Sequence, residues 1–108
     1  MKTLATKFHE AMLETYRLAK SDCGYKATYF LQMVTDIGGV ETAHRLLAST
    51  SPATGLTELW LCGQLDLSVE AQVLRPEFAP LFSEEERSVA QARLAKHGYT
   101  VPNINSPR

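Results

Sequence analysis

The stretch Gly55–Leu74, GLTELWLCGQLDLSVEAQVL, decides how this chain folds. It holds the only tryptophan, Trp60, and one of the two cysteines, Cys62. Its first half predicts a short helix over about Leu56–Cys62 that ends at Gly63. The side chains that this helix is expected to bury are Leu56, Leu59 and Trp60.

The second half of the stretch fits two kinds of secondary structure. Apolar and polar residues alternate strictly from Gln64 to Val73, which is the pattern of a half-buried strand. The helical interpretation takes Asp66 or Ser68 as N-cap and places Glu70 in the first turns, near the positive end of the helix dipole. We favour the helix, because Glu, Ala and Gln are poor strand residues and no other segment predicts a strand to pair with. A strand would need a second copy or another protein as its partner.

Three helices are predicted before this stretch. The first covers about residues 3–20, where large apolar side chains recur every four positions, and it ends at Gly24 as a left-handed cap. The second covers about 27–37 and has too many apolar residues for one narrow stripe, so we expect it to be largely buried. The third covers about 40–48, after a tight two-glycine turn. A polar loop then leads into the central stretch.

Two further elements are predicted after the central stretch. Pro76 ends that stretch, because the residue before a proline disfavours helical backbone, and a short apolar connector around Pro80 follows. Ser83 and Glu86 form a capping box, in which each side chain bonds the backbone amide of the other residue. The last helix runs from there to about Lys96. Its inner side chains are expected to be Val89, Ala90 and Leu94.

These elements predict an all-α fold, a single irregular bundle of five to six short helices. The domain is expected to cover residues 1–99, with Tyr99 folded back onto the core. The polar tail 100–108 has two prolines and is expected to be mobile. A length of 108 residues with 44% apolar residues suits one globular domain that folds without metals or disulfides.

The charges of the chain are nearly balanced. There are 11 basic and 12 acidic residues, for a net charge of −1, whereas dedicated nucleic-acid-binding proteins usually carry a basic excess. The N-terminal sequence has no continuous apolar core of a signal peptide, and no run of about 18 apolar residues is present. We therefore expect a cytoplasmic protein that does not enter a membrane, with reduced thiols at Cys23 and Cys62.

Several segments, in their order, resemble a group of uncharacterised bacterial proteins. They fall between Tyr25 and Tyr99, about three quarters of the chain. The segments are GYKATYFLQM, GGVETAHRLL, GLTELW, LDLSVEAQVL, PEFAPLF and RLAKHGY. The resemblance implies a coherent single domain. Because the group has no established activity, the resemblance assigns no functional residue.

Few residues are arranged for catalysis or metal binding. His9, His44 and His97 stand apart, and neither cysteine has a partner at metal-ligand spacing, so no metal site is expected. Cys62 lies in an apolar setting and is expected to be a packed thiol rather than a nucleophile. No phosphate loop, nucleophile elbow or dinucleotide fingerprint is present, and no cofactor is expected. The amides after Gly38 could meet an anion, but alone they are a weak signal.

One pair of carboxylates leaves an enzymatic alternative open. Asp66 and Glu70 are four residues apart, so they share a face if their segment is helical. Paired carboxylates can transfer protons or bind a cation, and Arg45 would complete such a site. The structural interpretation, which we favour, is a helix cap plus an ion pair with Arg45 or Arg75.

A second alternative is a nucleic-acid-binding module of the helix-turn-helix kind over residues 56–75. The short helix before Gly63 and the segment Asp66–Leu74 have lengths that suit this motif. The face that would read the nucleic acid, however, carries Asp66 and Glu70, and acidic side chains repel phosphate. Only Arg75 is basic there. We therefore do not expect nucleic acid as the partner.

The remaining hypothesis is that the protein acts by binding another protein. The sequence favours a small non-catalytic protein of bacterial or phage origin that binds another protein as an accessory or inhibitory factor. It does not identify the partner, and a homodimer stays open. The candidate interaction surface comprises Arg45, Trp60, Asp66, Glu70 and Arg75. Trp60 or Tyr29 would be a natural interface anchor if exposed, and part of the core if buried.

Overall fold

A computed structural model describes residues 2–49 and 54–98 of the chain. In these two ranges the backbone forms six α-helices and two 3₁₀ helices, and no strand. The α-helices are α1 (Leu4–Cys23), α2 (Thr28–Ile37), α3 (Gly39–Ala48), α4 (Thr54–Leu61), α5 (Val69–Val73) and α6 (Glu84–Ala95). The 3₁₀ helices are Leu65–Leu67 and Pro76–Leu81. The predicted all-α fold of five to six helices is confirmed. Most of the predicted polar loop, Tyr99 and the tail 100–108 lie outside the described residues.

Local chemistry sets the ends of the two longest helices. The Thr3 hydroxyl accepts a hydrogen bond from the Thr6 amide, at 3.1 Å, and starts α1. Gly24 ends α1 in the left-handed conformation, at φ 66°, as predicted. At the start of α6 the Ser83 hydroxyl accepts from the Glu86 amide, and Glu86 accepts from the Ser83 amide. The predicted capping box is therefore confirmed.

The segment that alternates between apolar and polar residues is helical, but it is not one helix. Ser68 stands between the first 3₁₀ helix and α5 with an extended backbone, at φ −71° and ψ 157°. Its hydroxyl donates to the carbonyl of Leu65, at 2.7 Å, and accepts from the amide of Ala71, at 3.1 Å. One side chain thus closes the first turn and caps the next helix. Of the two predicted N-cap candidates, Asp66 and Ser68, the structure uses Ser68.

The larger of two apolar clusters surrounds Phe8 in the middle of α1. The Phe8 side chain is fully buried, and its ring meets the edges of Phe78 and Phe82, with centroids 5.0 and 5.1 Å away. The other buried members come from every α-helix except α4: Met12, Val34, Ala43, Leu47, Val69, Val73 and Ala90. This cluster holds the bundle together around the first helix.

The central stretch supplies most of the second apolar cluster. Its buried members are Ala19, Leu56, Leu59, Leu65, Leu67 and Leu94. They lie where the second half of α1 meets α4, the first 3₁₀ helix and α6. Leu65 and Leu67 face inward, and the half-buried Leu74 touches both clusters.

Three predictions of burial are wrong. Trp60 is 46% exposed, because α4 packs through Leu56 and Leu59 and each further residue turns about 100° around the helix. Val89 is 36% exposed, since α6 buries the stripe that contains Ala90 and Leu94 instead. The second helix is not largely buried. Of its residues only Val34 is fully enclosed, because α2 packs on the bundle with one side.

The prediction of two free thiols is also wrong in this structure. Cys23 and Cys62 form a disulfide, with Cα atoms 5.8 Å apart and a sequence separation of 39. The reason is tertiary, because the last residue of α1 and the first residue after α4 meet at one end of the bundle. Cys62 is exposed rather than a packed core thiol.

Gly39 allows α1 and α3 to pack closely. A Cβ atom at this position would lie 2.7 Å from the Cα atom of His9. The Gly39 amide donates to Nδ1 of the His9 ring, at 3.0 Å. The amide that might have met an anion at this helix start is therefore already bonded within the protein.

Gly39→Ala is expected to lower the free energy of unfolding by about 1–3 kcal/mol, the usual cost of forcing extra volume into a packed site. The contact atom is backbone, so the neighbour has little freedom to move. Urea unfolding at constant pH measures the difference. Glu41→Ala is the control, because Glu41 is exposed on the same helix and should change stability by less than about 0.5 kcal/mol. Equal stability of the two variants would contradict the close packing of α1 on α3.

Candidate functional site

The five side chains of the predicted interaction surface lie in different surroundings. Arg45 is exposed on α3, and Asp66 is exposed in the first 3₁₀ helix. Trp60 is half-exposed on α4, with its ring centroid 5.3 Å from that of His97. No hydrogen bond, ion pair or ring contact joins any two of the five in the part of the chain that the structure describes. They therefore do not form one assembled site.

The two arginines of this set each pair with a carboxylate outside it. Arg45 pairs with Glu41 one turn earlier, at 3.4 Å. Arg75 pairs with Glu77, at 2.6 Å, and its guanidinium lies 5.1 Å from the ring centroid of Phe78. Both ion pairs are exposed, so each contributes little to stability.

Glu70 is buried, with 2% of its surface exposed, and its partner is Arg93. The Arg93 Nη1 atom lies 3.2 Å from Glu70 Oε2 and 3.0 Å from the carbonyl oxygen of Leu46. Its Nη2 atom donates to the carbonyl of Ser49, at 2.7 Å. The predicted partners Arg45 and Arg75 do not reach Glu70. This polar group ties α5 and α6 to the end of α3.

One signal in the sequence could have found this pair. Arg93 stands beside Leu94 and three residues after Ala90, on the inner stripe of α6. A charged residue on an apolar stripe needs a buried partner. Among the carboxylates of the central stretch, Glu70 falls inside α5 and Asp66 falls outside it.

An apolar cleft opens between α1, α2, α4 and the segment 67–70. Its volume is about 530 Å³, within the 300–1,000 Å³ range typical of ligand sites. Large side chains that line it include Tyr16, Phe30, Met33, Leu46, Leu56 and Leu59. Buried Glu70, held by Arg93, is also part of the lining. We call this region the apolar cleft.

The rim of the apolar cleft carries one large exposed aromatic side chain and one cation. Tyr29, in the first turn of α2, is 75% exposed. Lys26 lies just before this helix and is exposed, with no ion-pair partner among the described residues. Phe30 and Met33, two of the apolar residues of α2 from which we predicted burial, instead line an open cleft. Periodicity alone does not distinguish these two outcomes.

A second exposed apolar spot lies at the end of α4. Leu61 is 70% exposed and follows Trp60. Neither residue lines the apolar cleft. Scattered apolar side chains are common on protein surfaces, so this spot alone assigns no function.

His44 and Glu86 join α3 to the start of α6. His44 Nδ1 lies 2.5 Å from Glu86 Oε2, and both side chains are half-buried. Partial burial alone would raise the pKa of the Glu86 carboxyl. The hydrogen bond from the Ser83 amide and the contact with His44 outweigh burial and lower that pKa below its usual 4.5.

Glu86 should therefore make the free energy of unfolding depend on pH in the acidic range. Its pKa is lower in the folded chain, so the ionised carboxylate stabilises the fold above the ordinary glutamate pKa. That stabilisation is lost as pH falls through the lowered value. Glu86→Gln keeps a capping side chain but cannot ionise. We expect it to be less stable than the native chain near neutral pH, with a difference that shrinks as pH falls below the ordinary glutamate pKa.

Urea unfolding at a series of pH values measures this difference. Glu84→Gln removes an exposed charge from the same helical turn and controls for the general loss of a carboxylate near the helix start. A gap between the native chain and Glu86→Gln that stays constant in acid would contradict the role given to Glu86.

The arrangement weighs against the two alternatives from the sequence. In a helix-turn-helix module, the recognition helix that contacts nucleic acid would have to be α5. This helix has only five residues, and four of them are buried: Val69, Glu70, Gln72 and Val73. The Asp66 and Arg45 side chains do not join Glu70, so the proposed catalytic group is not assembled. Among the described residues, no three His, Cys, Asp or Glu side chains converge as a metal site would need.

Comparison with known proteins adds no assignment. We found no matching protein-family model, no matching curated protein and no matching solved structure. None of the described helices is long and apolar enough to cross a membrane.

Proposed function

We propose that this is a small non-catalytic protein that binds another protein through its apolar cleft. The observation that carries the proposal is Tyr29, a large aromatic side chain 75% exposed at the rim of that cleft. Aromatic residues and Met are enriched at protein interfaces, and those that fill pockets dominate the binding energy. Tyr29, with Tyr16, Phe30 and Met33 behind it, supplies such a group.

The chemistry of the cleft defines the partner segment it would accept. Its lining offers apolar side chains from helices on several sides, which suits an amphipathic helix with apolar residues at positions i, i+3 and i+4. Lys26 at the rim has no anion to pair with in the described part of the chain. An acidic residue beside the apolar row of the partner would meet it.

The wider setting is part of the same proposal and rests on the sequence alone. It comprises a bacterial or phage origin, a cytoplasmic location and an accessory or inhibitory role. No cofactor enters the proposal, because binding by contact needs none. Against an enzymatic role stand the dispersed positions of Arg45, Asp66 and Glu70.

The test is affinity capture from native cells with mass spectrometry, using three forms of the full chain. Tyr29→Ser should weaken binding of the captured protein by roughly 30-fold, the loss of about 2 kcal/mol that defines an interface anchor. Leu61→Ser is the matched control, because Leu61 is 70% exposed and does not line the cleft. It should bind as the native chain does.

Lys26→Glu tests the charge expected of the partner. It should slow association and reduce the salt dependence of binding, because rim charges act mainly on association rate. Equal binding by Tyr29→Ser and the native chain would overturn the proposal. The native chain could instead capture a small apolar molecule that the Tyr29→Ser variant does not capture. That result would assign the cleft to a different class of ligand.

A further inference from the structure

We infer that the Cys23–Cys62 disulfide is a redox latch that holds the apolar cleft in its binding form. The inference rests on the proposed function for its biological meaning. The structural claim, that the disulfide fixes the rim of the cleft relative to α4, concerns only this chain. Four observations support it: the position of the bond, the weak attachment of α4, the exposure of Cys62 and the chemistry of thiol exchange.

The disulfide joins the two segments that border the cleft. Cys23 is the last residue of α1, and the rim residues Tyr25 and Lys26 follow within three positions. Cys62 comes directly after α4, whose Leu56 and Leu59 also line the cleft. One covalent bond therefore fixes the rim segment relative to α4.

Apart from this bond, the described side chains of α4 have few attachments to other elements. These described side chains, from Leu56 to Leu61, make no hydrogen bond and no ion pair to another element. They are held by the packing of Leu56 and Leu59 in the second apolar cluster and by the contact of Trp60 with His97. A helix held by so few contacts belongs to the least stable part of a fold.

A reducing thiol can reach the bond. Cys62 is exposed and Cys23 is half-buried. The thiolate of a dithiol reductant attacks the Cys62 sulfur, a mixed disulfide forms, and Cys23 leaves as a thiolate that takes up a proton. The second thiol of the reductant then displaces Cys62, which also leaves as a thiolate and is protonated. Two electrons pass to the protein, and the reductant becomes a disulfide.

In the proposed cytoplasmic setting, this reaction would let the protein respond to the redox state of the cell. Disulfides in reducing compartments of mesophiles are typically transient and sense redox state. With the bond intact, the walls of the cleft are pre-organised for the partner. With the bond broken, the partner must also order the rim and α4, so its affinity falls.

NMR relaxation of the backbone amides tests the latch without any partner. The full chain is measured oxidised, and again after reduction by dithiothreitol. In the oxidised form we expect order parameters near 0.85 throughout the described helices. In the reduced form they should fall below about 0.6 in α4 and in residues 24–27, while α3 stays near 0.85. Order parameters describe the folded state, so a general loss of stability does not imitate this result.

The Cys23→Ser/Cys62→Ser variant provides the matched form. It should give the reduced pattern whether or not dithiothreitol is present. Unchanged order parameters in α4 after reduction would overturn the latch, and so would an equal fall in α3 and α4.

A second measurement tests the effect of the disulfide on binding, with the protein whose capture depends on Tyr29. Its dissociation constant should rise roughly tenfold on reduction, a factor of the size that ordering costs produce. Tyr29-dependent binding with no redox effect and unchanged order parameters would overturn the latch and leave the proposed function standing. A redox effect on α4 without any Tyr29-dependent partner would leave the latch and remove the proposed function.

Discussion

Arg93→Met is expected to lower the free energy of unfolding by about 3–5 kcal/mol, the usual cost of leaving one charge of a buried pair without its partner. Glu70 is 2% exposed and Arg93 8% exposed, so water cannot replace the lost contact. The change also removes the donors that bond the carbonyls of Leu46 and Ser49. Chemical denaturation, followed by circular dichroism, measures the loss.

The double variant Glu70→Leu/Arg93→Met separates the charge from the packing. It removes both members of the pair, and well-packed apolar replacements of buried ion pairs are often neutral or stabilising. We therefore expect it to recover most of the stability lost in Arg93→Met. Arg45→Met is the control for removing a cation, since Arg45 is exposed and its ion-pair partner among the described residues is Glu41, one turn away. A loss below about 1 kcal/mol in Arg93→Met would contradict the assignment of a buried ion pair.

The Cys23→Ser/Cys62→Ser variant should lose about 4 kcal/mol of unfolding free energy at 25 °C. The bond closes a loop with a sequence separation of 39, and removing such a link restores that much conformational entropy to the unfolded chain in the loop-closure model. Serine replaces each sulfur with a hydroxyl of similar size. Guanidinium unfolding of the oxidised native chain and of the variant gives the difference.

The native chain in dithiothreitol is the matched control for this variant. It should unfold at the same denaturant concentration as the double variant, because both lack the same covalent link. A difference below about 1 kcal/mol between the oxidised and reduced native chain would contradict the disulfide as a stabilising element.

The parts of the fold that could be predicted depend on residues close together in sequence. Gly24 ends α1 and Ser83 starts α6 through bonds within one turn, and these contacts form wherever the helix lies. Ser68 favours helix over strand in the segment Gln64–Val73 for the same reason, since both its hydrogen bonds reach no further than three residues. Capping chemistry can be recognised from sequence because it needs no tertiary information.

The parts that could not be predicted depend on the tertiary path. Glu70 and Arg93 are 23 residues apart, and each could have had a closer partner of opposite charge. Cys23 and Cys62 meet only because α1 and α4 end at the same place. Apolar periodicity indicated which side of each helix is apolar. It did not indicate that part of the apolar side of α2 would be left without a neighbour and form a cleft.

The ring of Phe8 has a consequence for how the protein is made. This side chain lies near the start of the chain, and the rings that enclose it, Phe78 and Phe82, are synthesised long afterwards. A nascent chain therefore exposes Phe8 and the apolar face of α1 until most of the domain has emerged from the ribosome. Folding of the main cluster is then a late event, because a fragment of the first three helices lacks the two rings that pack against Phe8.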